Sequence, residues 1–88
     1  MRIDFHKDFQ KSYLRLNPKQ RDKVNRVIEI FKNNPRESIL RNHPLRGKLE
    51  GKRAISVTGD LRIVFKEYEN YVSVLVLNIG THSQLYNM

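Results

Sequence analysis

Cysteine is absent from the 88 residues. That excludes disulfides, thiolate metal sites and cysteine nucleophilic chemistry. A small domain without disulfides fits a reducing compartment. No apolar run approaches the ~20 residues that span a bilayer. The start, Met1-Arg2-Ile3-Asp4-Phe5, is charged and alternating, unlike a secretory leader, so the expected location is cytoplasmic. Repeats, low-complexity tracts and internal linkers are also missing. The length suits one domain over residues 1–88, with no room for a second domain or a deep cofactor cavity.

Acidic residues are scarce. Nine Asp and Glu face 17 Lys and Arg, for a net charge of +8 and a pI near 10.1. Such an excess on a small domain attracts polyanions: nucleic acid, an anionic membrane or an acidic protein. A solvated basic surface is the plain alternative.

The apolar residues that are present set the fold. Ile3 and Phe5 alternate with polar neighbours over residues 2–5, as in a short edge strand. Over 7–16 the spacing turns helical, with Phe9, Tyr13 and Leu16 on one face. Asn17-Pro18 interrupts this and starts a second helix over 18–32, with Gln20 where a capping box wants it. Its apolar face is Val24, Val27, Ile28 and Phe31, and Asn33-Asn34-Pro35 ends it. The short joint predicts an antiparallel helix hairpin. Residues 36–51 form a connector without regular period. Strands are predicted over 53–58, 61–67 and 71–78. Ile55, Val57, Leu61, Ile63 and Phe65 share one sheet face, and Ser56, Arg62 and Val64 the other. The last strand is apolar on both faces and belongs inside the sheet. The order β-α-α-β-β-β predicts an α+β fold, a twisted, mostly antiparallel sheet packed on one face by the hairpin. The other face stays at least partly open. A charge at its middle, Arg62, marks it as a candidate site.

The connector is basic. Arg41, Arg46, Lys48, Lys52 and Arg53 are offset only by Glu50, with His43 among them. Such side chains suit phosphate oxygens, and Gly47 and Gly51 could let a ligand approach the backbone. A flexible charged loop is the bland alternative. His6 is expected to face solvent without a role. His43 and His82 near one basic face are better candidates for moving protons. RNA carries its own nucleophile, the 2′-hydroxyl, so cleavage needs a base, an acid and positive charge, and no metal. His43, Asp60, Arg62 and His82 could divide these tasks, with Arg62 acting electrostatically. Two His and an Asp could in principle hold zinc, but their spacing matches no zinc motif and the surrounding cations oppose a metal ion.

Three segments carry a family resemblance: Asn42-His43-Pro44-Leu45-Arg46-Gly47, Gly59-Asp60-Leu61-Arg62-Ile63-Val64-Phe65 and Ile79-Gly80-Thr81-His82-Ser83-Gln84-Leu85-Tyr86. With the element order they resemble the RelE/ParE toxin superfamily, and the first and last point to its YafQ-type branch. The resemblance covers nearly the whole chain. It implies the toxin of a type II toxin–antitoxin pair: a metal-independent endoribonuclease that cuts mRNA in the ribosomal A site and is silenced by a small antitoxin. It further implies that His43 and His82 are catalytic histidines, Asp60 the acidic position, Arg62 the phosphate-stabilising arginine and Tyr86 a base-stacking aromatic. Two positions depart. Ser56 stands where YafQ-type members can carry another histidine, and Leu61 where an aromatic can follow the aspartate. Both bear on turnover and on the grip on the codon.

Two other readings remain. The ParE branch of the fold poisons gyrase without cutting RNA, but generally lacks the paired histidines. A binding module with a dead site would bind RNA with steep salt dependence and cut nothing. In each case the +8 surface suits an acidic, partly disordered antitoxin segment that folds on binding. It could wrap the helices, add a strand to the sheet edge or cover the basic face.

Overall fold

In the computed structural model, which describes residues 1–87, the helices begin where their caps stand. Helix α1 (Lys7–Leu14) starts at His6, whose Nδ1 accepts the Asp8 backbone N–H at 3.0 Å. That contact needs an unprotonated Nδ1, so it outweighs the 3.6 Å approach of the same nitrogen to the Asp8 carboxylate. His6 therefore caps a helix. Helix α2 (Pro18–Asn33) starts at Asn17, which exchanges bonds with Gln20 in a full capping box, with Pro18 in the first turn. Its buried residues are Val24, Val27 and Phe31, at helical spacing.

The sheet has five strands in the order β1-β5-β4-β3-β2. These are β1 (Arg2–Phe5), β2 (His43–Pro44), β3 (Arg53–Ser56), β4 (Leu61–Tyr68) and β5 (Ser73–Thr81). A short helix, α3 (His82–Tyr86), follows, and the connector holds 3₁₀ turns at Ser38–Leu40 and Gly47–Leu49. Three pairings are antiparallel, but β1 runs parallel to β5. The sheet is therefore mixed. Alternation reports which face a residue takes and carries no signal for the direction of the neighbouring strand.

As the alternation predicts, Ile55, Val57, Leu61, Ile63 and Phe65 are buried in the core under the hairpin. Phe31 meets Phe65 edge-on at 4.9 Å. On β5, Val74 and Val76 join this core, and so does Ile79, which simple alternation would place on the other face. A bulge explains it. Val64 pairs with Asn78 and Phe65 with Val76, leaving Leu77 as the extra residue. The re-phased strand turns Ile79 inward and sets Gly80 opposite Arg62.

The second face has a smaller core of its own. Leu49, Ala54, Val64 and Leu85 are buried but stand apart from the hairpin cluster. Leu49 comes from the second 3₁₀ turn and Leu85 from α3, so both cover a face that sequence reading left partly open. Among the described residues, no helix is long and apolar enough to cross a membrane.

Candidate active site

This second face collects the candidate residues. His43, Arg62, His82 and Tyr86 line one cleft. Its apolar lining includes Leu45, Leu49, Val64 and Leu85. The cavity is only about 30 Å³, roughly the volume of one water. Asp60 stands outside it, in a hollow shared with Arg62, Thr81 and His82. Arg62 and His82 thus border both spaces, with His43 at one end and Asp60 at the other.

His43 sits on edge strand β2, paired with Ala54. Its Nδ1 lies 2.7 Å from the Arg41 carbonyl oxygen. A carbonyl can only accept, so Nδ1 carries the hydrogen and donates it. The lone pair of the neutral ring is then on Nε2. Arg41 is in the left-handed region at φ 50°, a conformation uncommon for a residue with a Cβ. The turn that demands it directs this carbonyl at His43.

Next to His43, Asn42 fixes the strand. Its Nδ2 donates to the Pro35 carbonyl and to the Tyr71 hydroxyl, both at 2.9 Å, and its Oδ1 accepts from Arg53 Nε at 2.7 Å. Replacing Asn42 by alanine strips partners from these part-buried groups. We expect a loss of about 1–3 kcal/mol in unfolding free energy, measurable by urea titration.

Arg62 projects from β4 on the same face as Ser56. Its Nη1 donates to the carbonyls of Thr58 and Gly59 at 3.0 and 2.9 Å, which clamps the guanidinium while leaving other N–H groups available. Among the described residues, the ion pairs are Arg2–Asp4, His6–Asp8 and Lys32–Glu29, and none involves Arg62. No group of three or more His, Asp or Glu among the described residues is gathered closely enough to hold a metal ion.

His82 is the first residue of α3. Thr81 caps that helix in a reciprocal box with Gln84. One turn later Tyr86 brings its ring to 4.5 Å from the His82 ring, tilted by 35°. The strand predicted over 71–78 would leave Gly80 beyond its end. The structure keeps it inside β5, buried, and the reason for glycine is clearance. A Cβ there would stand 3.0 Å from Gln84 Oε1 and 3.3 Å from Gln84 Cβ. Gly80→Ala should therefore shift Gln84 by a few tenths of an ångström and strain the Thr81–Gln84 cap of α3, at a cost of about 1 kcal/mol seen as a lower Tm.

The basic connector contributes differently than its composition suggests. Arg46 and Lys48 are exposed and Lys52 half-buried, and none lines the cleft. Arg41 supplies its carbonyl to His43, and Arg53 donates its Nε to Asn42. Gly47 and Gly51 hold left-handed angles of 66° and 88° with open space around them, so they serve the turns. The sequence places Val64 on this face, but it gives no sign that Leu45, Leu49, Ala54 and Leu85 line the cleft with it. Helix α3 had a visible signal, since Thr81 and Gln84 repeat the spacing of Asn17 and Gln20.

A helix hairpin on one face of a five-stranded mixed sheet is the fold shared with solved RelE-like toxin structures. YafQ from E. coli strain BL21(DE3) superposes with a TM-score of 0.78 at 23% identity, covering 98% of this chain and 99% of that one. A YoeB/ParE toxin from Agrobacterium tumefaciens gives 0.76 at 20% identity, over 93% and 99%. The E. coli DinJ-YafQ complex gives 0.75 at 22% identity, over 98% and 99%. No curated protein sequence is significantly similar. The model of one family, described as the bacterial toxin of type II toxin-antitoxin system, YafQ, matches residues 1–87. The chain belongs to that family.

Proposed function

We propose that residues 1–88 form one toxin domain that cuts mRNA in the ribosomal A site of the cytoplasm, without a metal or organic cofactor, and that an acidic antitoxin silences it. The observation that carries this reading is the cleft shared by His43, Arg62 and His82. In the proposed reaction His43 Nε2 takes the proton of the 2′-hydroxyl. The 2′-oxygen attacks the adjacent phosphorus. Arg62 stabilises the negative charge that builds on the phosphorane oxygens. The bond from phosphorus to the 5′-oxygen breaks, and His82, protonated, gives that oxygen its proton. The products are a 2′,3′-cyclic phosphate and a 5′-hydroxyl.

The remaining calls take supporting roles. Asp60 borders the hollow that Arg62 and His82 also line and takes the acidic position of the site. Arg46, Lys48 and Lys52 attract the phosphate backbone from around the cleft, while Arg41 and Arg53 act through the structure that holds His43. Tyr86 offers a ring for a base to stack on beside His82. Purified protein added to an in vitro translation reaction should leave cuts within codons, mapped by primer extension. Intact mRNA with arrested DNA replication would favour the gyrase-poison reading instead.

A further inference from the structure

The turn between β4 and β5 is strained. Glu69, Asn70 and Tyr71 stand at φ 52°, 55° and 71°, all in the left-handed region. Residues with a Cβ visit that region one at a time, and a bulky aromatic does so rarely. Asn-Gly or Gly-Gly would close a hairpin with less strain, yet this turn holds no glycine.

Several contacts keep the turn in place. Glu67 Oε2 accepts the Tyr71 backbone N–H at 2.9 Å. Arg36 donates to Asn70 Oδ1 at 2.7 Å, and its guanidinium carbon lies 4.8 Å from the centre of the Tyr71 ring. Phe31 and Phe65 pack on the same ring. Strain held this firmly collects where a group must stay in one position. Here the group is the Tyr71 hydroxyl, which accepts from Asn42 Nδ2.

Asn42 stands between Arg41 and His43. Its amide has one orientation, because the Pro35 carbonyl can only accept and the Arg53 guanidinium can only donate. Tyr71 is the remaining tether on that amide. The Asn42 backbone in turn carries the Arg41 carbonyl, 2.7 Å from His43 Nδ1. Turning this backbone would take the carbonyl off the ring. The neutral imidazole could then hold its hydrogen on either nitrogen, and Nε2 would lose its lone pair part of the time. We propose that Tyr71 is a positioning residue for His43: through Asn42 it keeps the Arg41 carbonyl on Nδ1 and the proton-accepting lone pair on Nε2. This inference rests on the functional reading above and adds what holds its base in the working tautomer.

The test compares the full-length protein, isotopically labelled in histidine, with Tyr71→Phe, which keeps the ring and its packing and loses the hydroxyl. Tyr13→Phe is the control, since it loses an exposed hydroxyl bond to Asn25 on the helix hairpin. NMR at a pH where the imidazole is neutral should show wild-type His43 with hydrogen on Nδ1 and a bare Nε2. In Tyr71→Phe the two nitrogen shifts should converge as the tautomers mix. Single-turnover cleavage of ribosome-bound mRNA should slow about tenfold, less than the loss of the base itself would cost, with the half-saturating ribosome concentration unchanged. The proposal is overturned if the His43 nitrogen shifts stay at their wild-type values, even with a lowered Tm, because Tyr71 would then be a structural tether only. It is equally overturned if cleavage slows no more than in Tyr13→Phe, or if the loss falls on the half-saturating concentration. A wild-type protein that cuts no mRNA would sink the functional reading, and the nitrogen shifts would still decide whether Tyr71 positions His43.

Discussion

Replacing His82 by alanine should slow cleavage of ribosome-bound mRNA by about 10²–10⁴-fold, the usual worth of a general acid or base. The residue is exposed at the start of α3, so the fold should survive. Helix α3 keeps its Thr81–Gln84 box and its buried Leu85. The variant should therefore melt close to the wild type and still bind ribosomes. Single-turnover cleavage separates binding from chemistry, and the loss should fall on the chemical step. Full cleavage by His82→Ala would remove this histidine from the mechanism.

Arg62→Ala should cost about 10²–10³ in the same rate, the range seen when one donor to a developing oxyanion is removed. Arg62→Lys is the informative companion. An ammonium keeps the charge but cannot reproduce the fixed fork that is tied to Thr58 and Gly59 while reaching a phosphate. It should recover only part of the loss. Equal rates for the lysine variant and the wild type would mean that charge alone suffices and that the clamp is incidental. Because the side chain is half-buried and bonded to a turn, urea titration of both variants should accompany the kinetics.

Much of this site was legible in the sequence because its chemistry resides in a few distinctive residues. His43, Arg62, His82 and Tyr86 stand out in the sequence as candidates, and they line one cleft. The hairpin-facing strand residues were also readable, since period-two alternation maps directly onto a sheet face. What could not be read depends on residues distant in sequence. Ala54, Leu49 and Leu85 come from three elements and join Val64 in a small core only when folded. The parallel pairing of β1 with β5 has no local signature. Nor does the bulge at Leu77, which moves Ile79 inward and brings Gly80 opposite Arg62. Composition alone does not show how each cation of the connector is used: Arg53 donates its Nε to Asn42, and Arg41 meets His43 through its backbone carbonyl.

The chemistry of the cut ends tests the central claim most directly. In-line attack by the 2′-hydroxyl, with His43 as base and His82 as acid, must leave a 2′,3′-cyclic phosphate, or the monophosphate from its hydrolysis, on the upstream fragment. The downstream fragment must carry a 5′-hydroxyl. Mass spectrometry of fragments released from programmed ribosomes distinguishes these termini. A 3′-hydroxyl facing a 5′-phosphate would contradict the account, because that outcome requires water as the nucleophile.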